Sequence, residues 1–195
     1  AKLSHNSEGA INTVDHQETA FKIAGEAIVL LKNESILPLD RSKKRTIAVI
    51  GANADRKHAA SGGSSQVNAK YELTALDGLR QLAGTKIDII TARGYDIVKD
   101  GKGNASLLKE AVEAAAGADI VIYVGGWIHG YSDAWEDNAF DSETLDKTSI
   151  MLPFGQNELI SAIQKANPNV IVVLYGGAAT DMTPWVAGCK AIIQA

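Results

Sequence analysis

Residues 127–153 combine carboxylates, which can transfer protons, with aromatic rings, which can stack on flat apolar surfaces. Six of these residues are carboxylates and five carry rings: Asp133, Glu136, Asp137, Asp141, Glu143 and Asp146, with Trp127, His129, Tyr131, Trp135 and Phe140. Flat sugar faces stack on aromatic rings, and a carboxylic acid can protonate a leaving glycosidic oxygen. A solvated acidic loop that is anchored by its aromatic residues would have the same composition. Composition alone therefore leaves both interpretations open.

Other candidate sites in the sequence are weaker. The stretch "SGGSSQVN" (61–68) lacks the Gly-x-x-x-x-Gly-Lys-Ser/Thr pattern of a phosphate-binding loop, and "GANAD" (51–55) lacks the dinucleotide fingerprint. What remains is a polar loop whose Ser64 and Ser65 hydroxyls could approach a ligand. The single cysteine, Cys189, excludes an internal disulfide and a cysteine-based metal cluster. The histidines have no metal-ligand spacing, although two of them, His58 and His129, follow predicted strands, where either could contact a substrate. We expect no metal and no cofactor.

Length, composition and charge favour one globular domain. The 195 residues are 46% hydrophobic and 22% charged, with a net charge of −4. This mildly acidic balance argues against a nucleic-acid partner, and the short basic run "RSKKR" (41–45) is typical of a solvated turn. No apolar run reaches the roughly 18 residues of a membrane span, and no signal-peptide pattern is present. We therefore expect neither nucleic acid nor membrane as a partner.

Strand and helix patterns alternate along most of the chain. Short apolar runs typical of strands buried on both faces lie at 46–51, 87–94, 118–126, 169–177 and 191–195. This alternation predicts an α/β fold, with a mostly parallel sheet and helices on both faces, as in a three-layer α/β/α sandwich. Ligands of such sheets bind beyond the carboxyl ends of the strands. The acidic and aromatic loop 127–153 leaves one of those ends.

Capping residues and apolar spacing predict the helices. Asp15 and Glu18 resemble a capping box that starts a helix near His16, and Ala20, Ala24, Ala27, Ile28 and Leu31 fall on one face of it. Thr74 could cap a helix at 75–83, with Leu76, Leu79 and Leu82 inward and Gly84 at its end. Two more helices are predicted around 107–115 and 159–163. We divide the chain into a linker at 1–14 and one domain at 15–195.

Several motifs together resemble the second domain of family 3 glycoside hydrolases, the β-glucosidase and β-xylosidase group. The similar stretches are "EAIVLLKNESILPL", "TIAVIGANAD", "SGGSSQV", "TALDGLR", "GADIVIYVGG", "LPFGQNELI" and "VVLYGGAATDMTPW". They occur in the family's order from about residue 16 to the end. The resemblance implies a piece of a larger enzyme, with a (β/α)8 barrel before this domain and a further Trp- and Gly-containing segment after it.

The same resemblance implies roles for particular residues. In the family the barrel provides a nucleophilic Asp, and the second domain often provides the general acid/base as the Glu of a Ser-Glu-Gly-x-Asp-Arg motif before a Leu-Pro. Here that motif reads "SETLDK" (142–147), which puts the acid/base on Glu143. Thr144 replaces the Gly, and Lys147 replaces the Arg, whose bidentate fork a lysine cannot reproduce. The position of the acid/base varies within the family, so Glu136 remains an alternative.

The implied activity is retaining hydrolysis of terminal β-linked glucose or xylose, from an oligosaccharide or an aryl glycoside. Trp127, Tyr131 and Trp135 would shape the mouth of the site, with Ser64 and Ser65 approaching it. Retention needs two carboxyl groups about 5–5.5 Å apart, and the barrel would supply the second. The isolated chain should therefore be inactive. The alternatives are a non-catalytic sugar- or small-ligand-binding α/β module and a structural cover for the barrel.

Overall fold

The chain folds around one six-stranded sheet in a computed structural model that describes residues 9–59, 67–98, 102–129, 140–141, 146–147 and 149–195. The strands of this sheet are β1 (Val29–Asn33), β2 (Arg45–Ile50), β3 (Ile87–Ala92), β4 (Ile120–Gly126), β7 (Val170–Tyr175) and β8 (Ala191–Gln194). Two short segments, β5 (Ile128–His129) and β6 (Phe140–Asp141), pair in parallel beside it. The helices are α1 (Val14–Ala27), α2 (Ala75–Ala83), α3 (Ala105–Ala116) and α4 (Gln156–Ala166).

The strand order across the main sheet is β1-β8-β7-β4-β2-β3. All neighbouring pairs are parallel except β1 with β8, which is antiparallel. The predicted mostly parallel α/β sheet is confirmed. From β2 the chain goes outward to β3 and then returns to the other side of β2 for β4. The strand order therefore reverses between β2 and β4, and a crevice at the carboxyl ends of these two strands is where such sheets bind ligands.

Two apolar clusters hold helices against the two faces of the sheet. Ala48 and Ile50 of β2 pack on one face with Ala111 of α3 and Leu159 of α4. On the other face, the intervening β2 residues pack with Leu76 of α2. Alternate β2 side chains point to opposite faces, and both faces are buried, which explains the near-continuous apolar sequence of this strand. The three-layer arrangement predicted from the sequence is thus confirmed.

The first helix differs from its prediction in two ways. Its N-cap is Thr13, whose hydroxyl accepts a hydrogen bond from the His16 amide (3.2 Å), and Asp15 lies in the first turn. The helix ends at Ala27, so the prediction that Leu31 lies on a helical face is wrong. Residues from Val29 onward instead form β1, because this apolar run pairs with β8 at the edge of the sheet. Short apolar runs do not distinguish a helix end from a strand by periodicity.

The other helices are close to their predictions. Thr74 caps α2 in a reciprocal capping box with Asp77, and Gly84 follows its last residue. Leu82 is exposed, so its predicted inward orientation is wrong.

Cys189 is buried, and this burial raises the pKa of its thiol to about 11, which makes it unreactive at neutral pH.

Neither a membrane-spanning helix nor a metal cluster is found in the described part of the chain. No helix within the described ranges is both long enough and apolar enough to cross a bilayer. No group of three or more His, Cys, Asp or Glu side chains in those ranges could hold a metal ion.

Candidate functional site

A cleft of about 490 Å³ opens at the carboxyl ends of the three neighbouring strands β7, β4 and β2. It therefore lies across the point where the strand order reverses, as expected for a ligand site in this class of sheet. The chain segments that follow these strands, together with the segment before α2, provide its walls: Arg56, His58, Glu72, Leu73, Thr74, Trp127, Asp141, Tyr175, Gly176 and Gly177. Polar and aromatic side chains thus converge on one concave surface.

The turn at Gly126 directs the chain from β4 into this cleft. Gly126 has a φ of +105°, and a Cβ at this position would overlap the carbonyl oxygen of Tyr175 on the neighbouring strand. Only glycine meets both requirements. The next amide, that of Trp127, donates a hydrogen bond to the same Tyr175 oxygen (2.8 Å). The backbone therefore fixes where the Trp127 side chain enters the cleft.

A buried glutamine of α4 also fixes the position of Gly126. The side-chain oxygen of Gln156 accepts hydrogen bonds from the Gly126 amide and from the Tyr123 hydroxyl, each at 2.8 Å. Its amide nitrogen donates to the Gly126 carbonyl at 2.9 Å. Gln156 is the first residue of α4 and is fully buried. It therefore holds the start of the 127–153 loop in a fixed position relative to α4.

Trp127 forms a fixed floor in the cleft. Its side chain is almost fully buried, and its indole nitrogen donates to the Thr180 hydroxyl (2.9 Å). The ammonium group of Lys147 lies 3.6 Å from the ring centroid, in a cation–π contact. The ring face under Lys147 is consequently covered by a cation.

An ion pair joins two residues on either side of the "SETL" stretch. Lys147 Nζ lies 2.7 Å from Asp141 Oδ1, and these side chains are only 12% and 16% exposed, respectively. The other Asp141 oxygen accepts a hydrogen bond from the Gly177 amide (3.1 Å), which follows β7. β6, which contains Asp141, also pairs with β5 next to Trp127. Asp141 and Lys147 therefore anchor the loop at the cleft, immediately before and shortly after residues 142–145.

His58 lies on the opposite wall of the cleft. Its ring centroid is 4.9 Å from that of Tyr175. Burial lowers the pKa of His58, the charge of Arg56 lowers it further, and Glu72 acts in the opposite direction. His58 is therefore neutral at pH 7 and would meet a ligand as an uncharged donor or acceptor. Burial also raises the pKa of Tyr175, which keeps its hydroxyl protonated.

The structure describes one of the site residues predicted from the sequence. Trp127 lies in the cleft. The other predicted site residues lie outside the described residues: Glu143, Glu136, Tyr131, Trp135, Ser64 and Ser65. Of the two histidines singled out, His58 lines the cleft, and the side chain of His129 is not described.

Among the cleft side chains that sequence reasoning missed are Arg56, Glu72 and Tyr175. Tyr175 stands immediately before "GG" at the end of a buried strand, which is the signal that could have identified it. Arg56 lies two residues before His58, and its Nε is buried without a hydrogen-bond partner among the described residues.

The family model "Glycosyl hydrolase family 3 C-terminal domain" matches residues 28–195, which is most of the chain. The chain belongs to this family. Among curated glycoside hydrolase relatives, it is 36% identical to the β-glucosidase BoGH3A of Bacteroides ovatus, over 95% of the chain and 26% of that protein. It is 35% identical to a β-xylosidase of Formosa agariphila, over 85% of the chain and 22% of that protein. The chain therefore spans about a quarter of the length of these family 3 enzymes.

Solved structures of the family agree with this assignment. The chain matches the crystal structure of a Bifidobacterium adolescentis family 3 β-glucosidase with a TM-score of 0.73 and 30% identity, over 96% of the chain and 25% of that protein. A family 3 exo-β-xylosidase that was solved with a xylobiose aziridine probe matches with a TM-score of 0.74 and 29% identity, over 92% of the chain and 22% of that protein.

The Asp141–Lys147 pair should contribute measurably to the stability of this family 3 domain. We expect a double-mutant cycle with Asp141→Asn and Lys147→Met, measured by urea unfolding at pH 7, to give a coupling free energy of about 1–3 kcal/mol. The reason is that either single substitution leaves the opposite charge largely buried and without its main counter-charge. The exposed pair Lys109–Glu113, at 3.8 Å on α3, is the matched control, with an expected coupling below about 0.5 kcal/mol. Equal coupling for the two pairs would contradict the prediction.

Proposed function

We propose that this domain supplies the general acid/base of a retaining exo-β-glycosidase that releases terminal β-linked glucose or xylose. Glu143 protonates the leaving glycosidic oxygen in the first step. In the second step its carboxylate removes a proton from the water that hydrolyses the glycosyl–enzyme intermediate. The nucleophilic carboxylate comes from a (β/α)8 barrel that precedes residues 15–195 in the full-length protein, with residues 1–14 as the linker.

The observation that carries this proposal is the anchoring of Asp141 and Lys147 at the cleft. Residue 143 is two positions from Asp141, and two extended residues span at most about 7 Å. Covalent geometry alone thus limits how far a carboxylate at position 143 can lie from the cleft wall. Residue 136 is five positions away, which allows up to about 18 Å. The anchors therefore favour Glu143 over Glu136 as the acid/base.

The other cleft residues would position the sugar. His58, neutral at pH 7, would exchange hydrogen bonds with sugar hydroxyls. Trp127 would act through Lys147, because the ring carries the ammonium that pairs with Asp141. Tyr131, Trp135, Ser64 and Ser65 would complete the mouth of the site.

The choice of sugar depends mainly on the part of the protein outside this chain. Relatives that match it are named as a β-glucosidase, a β-xylosidase and, in Bifidobacterium longum, an exo-α-(1→6)-L-arabinopyranosidase. The last of these is 34% identical over 92% of the chain. A fair test of substrate class therefore includes all three sugars.

The full-length protein should hydrolyse the nitrophenyl β-glucoside or the nitrophenyl β-xyloside, and hydrolysis of the nitrophenyl α-L-arabinopyranoside alone would contradict the proposed sugar. NMR of the first product should show retained anomeric configuration, because two carboxyl groups about 5–5.5 Å apart act by double displacement. The isolated chain should release no more nitrophenol than buffer does, because it lacks the nucleophile.

Inversion of configuration, or hydrolysis by the isolated chain, would contradict the proposal that this domain supplies the general acid/base and the barrel supplies the nucleophile. If the full-length protein leaves all three glycosides intact but binds the free sugars, the domain is a non-catalytic binding module instead.

A further inference from the structure

An arginine on the cleft wall lacks a partner among the described residues. Arg56 lies in the segment that follows β2, lines the cleft and is partly buried. Its Nε is buried without a hydrogen-bond partner in the described part of the chain, and none of the ion pairs found there involves Arg56. A guanidinium carries five donors in a rigid fork, and leaving such donors unsatisfied in a buried place is unfavourable. The cleft therefore contains donors that a ligand can satisfy.

A glutamate beside this arginine supplies acceptors. Glu72 also lines the cleft and is partly buried, and its Oε2 accepts a hydrogen bond from the Ala59 amide (2.8 Å). A carboxylate has two oxygens and about four lone-pair sites, so Glu72 can accept hydrogen bonds from a ligand as well. Burial lowers the pKa of His58, and the charges of Arg56 and Glu72 then shift this pKa in opposite directions. Both charges therefore lie near the same ring in the cleft wall.

Two hydrogen bonds hold Arg56 and Glu72 in a fixed relation. Before Arg56 in the chain, the Ala54 carbonyl accepts from the Leu76 amide at the start of α2 (2.8 Å). After Arg56, the Ala59 amide donates to Glu72 itself. The segment that carries Arg56 is thus attached at both ends to the segment that carries Glu72. Polar groups that are positioned before a ligand arrives lose less conformational entropy when it binds.

This pair of side chains is complementary to a neutral diol. An ionised carboxylate only accepts hydrogen bonds and a guanidinium only donates them, whereas a hydroxyl does both. Two hydroxyls on adjacent sugar carbons can therefore accept from Arg56 and donate to Glu72 at the same time. A carboxylate or phosphate ligand would face the charge of Glu72, and a cationic ligand would face that of Arg56. The other charged pair at the cleft, Asp141 with Lys147, is already neutralised by its own ion pair.

The division of the catalytic groups between the two domains indicates which sugar carries these hydroxyls. The nucleophile attacks the sugar that stays on the enzyme, and it belongs to the barrel. Glu143 protonates the oxygen that departs with the leaving sugar, and it belongs to this domain. We propose that Arg56 and Glu72 bind two adjacent hydroxyls of the leaving sugar, and so select disaccharides over alkyl and aryl glycosides. This inference rests on the proposed function and names the part of the substrate that this domain recognises.

Calorimetric titration of the full-length protein with sugars that resist cleavage tests this recognition. The two-sugar probes are the sulfur-linked analogues of cellobiose and xylobiose, and the one-sugar probes are the methyl 1-thio-β-glycosides of glucose and xylose. Arg56→Met should raise the dissociation constant of the tighter two-sugar probe at least about tenfold, the usual effect of losing a hydrogen bond to a charged group. The dissociation constant of the matching one-sugar probe should stay within about threefold, because that probe has no second sugar to lose a contact.

Two further variants complete the test. Glu72→Gln keeps one side-chain oxygen for the Ala59 amide and replaces the other by a donor, so it should weaken binding of the two-sugar probe at least about threefold. Lys57→Met is the matched control, because Lys57 is exposed and is not among the residues that line the cleft. It should bind every probe as the unmodified protein does. Urea unfolding should show that Arg56→Met is at least as stable as the unmodified protein, because it removes a partly buried charge.

Hydrolysis kinetics provide an independent measurement of the same recognition. On the disaccharide that the full-length protein cleaves best, Arg56→Met should raise KM and keep kcat within about threefold, the pattern of a lost binding contact. On the nitrophenyl glycoside neither constant should change, because its leaving group has no hydroxyls of a second sugar.

Each other outcome overturns the proposal. Equal weakening of the one-sugar and two-sugar probes by Arg56→Met would assign the hydroxyls to the sugar that stays. Unchanged binding of both probes, or no measurable binding of either two-sugar probe to the unmodified protein, would mean that Arg56 recognises no second sugar. A less stable Arg56→Met protein would make Arg56 a structural residue. Tighter binding of a disaccharide that ends in a uronic acid would indicate a site for a carboxylate.

The two kinds of measurement separate this inference from the proposed function. Binding of the two-sugar probe that depends on Arg56, in a protein that hydrolyses no glycoside, leaves the recognition intact and removes the proposed activity. Hydrolysis of a disaccharide that is unaffected by Arg56→Met does the reverse.

Discussion

Replacing Glu143 with alanine in the full-length protein is expected to lower kcat on a glycoside with a poor leaving group by about 10²- to 10⁴-fold, the usual contribution of a positioned general acid/base. An alkyl β-glucoside or a disaccharide is the appropriate substrate, because its leaving oxygen needs a proton. On a nitrophenyl glycoside the first step should be nearly normal, since that leaving group departs without protonation. The loss should then appear in the hydrolysis of the intermediate.

The matched control for this experiment is Glu136→Ala, the other carboxylate that the sequence leaves open. The Glu136→Ala protein should keep kcat on the alkyl glycoside within about tenfold of that of the unmodified protein, because this substitution would affect substrate binding rather than proton transfer. Added azide should accelerate turnover of the nitrophenyl glycoside by Glu143→Ala, since azide attacks the intermediate without a general base. If Glu136→Ala abolishes turnover of the alkyl glycoside and Glu143→Ala does not, the assignment is wrong.

Replacing Gln156 with alanine should destabilise the chain by about 3 kcal/mol, measured by urea unfolding. The substitution removes three hydrogen bonds and leaves the Gly126 amide, the Gly126 carbonyl and the Tyr123 hydroxyl without their partner in a buried region. Each such group costs about 1–3 kcal/mol, and partial entry of water would reduce the sum.

Lys165→Ala, at an exposed position of the same helix, is the control for helix substitution, with an expected change of no more than about 0.5 kcal/mol. A Gln156→Ala protein that unfolds at the same urea concentration as Lys165→Ala would show that the buried amide network contributes little. In the full-length enzyme, Gln156→Ala should also lower activity, because Gly126 is the point from which the loop with Glu143 departs.

The fold could be predicted where the local sequence has one interpretation. The β4 run "IVIYVGG" is short, consists of β-branched and aromatic residues and ends in two glycines, which together favour a strand, and the structure buries every residue of it. Thr74 was identifiable as the cap of α2 because N-capping is a local signal, whereas the capping box predicted at Asp15 and Glu18 was misplaced, since Thr13 caps α1. The segment from Ile28 to Leu31 was different, because its apolar residues suit a helix end and an edge strand equally well. Pairing with β8, more than 150 residues away in sequence, decides between them.

The site was predictable only in its location. The position of loop 127–153 after a parallel strand indicated the correct edge of the sheet, and Trp127 follows β4 directly. The placement of Lys147 was not predictable. The sequence marks it as a poor replacement for arginine, whereas in the structure it pairs with Asp141 at 2.7 Å and covers the Trp127 ring. Such contacts depend on how a long loop folds back on itself, and no local pattern encodes this.

The Asp141–Lys147 ion pair also has an entropic consequence. It joins two residues six positions apart. The ion pair and the backbone between these residues thus form a short closed ring within loop 127–153. The entropy lost on closing a loop grows with the logarithm of its length, and a ring of about 6 residues in place of about 27 lowers that loss by about 1 kcal/mol. A carboxylate in the segment between Asp141 and Lys147 would therefore occupy one position at the cleft for a larger fraction of the time. On this view Lys147 raises the effective concentration of a carboxylate at position 143 at the cleft.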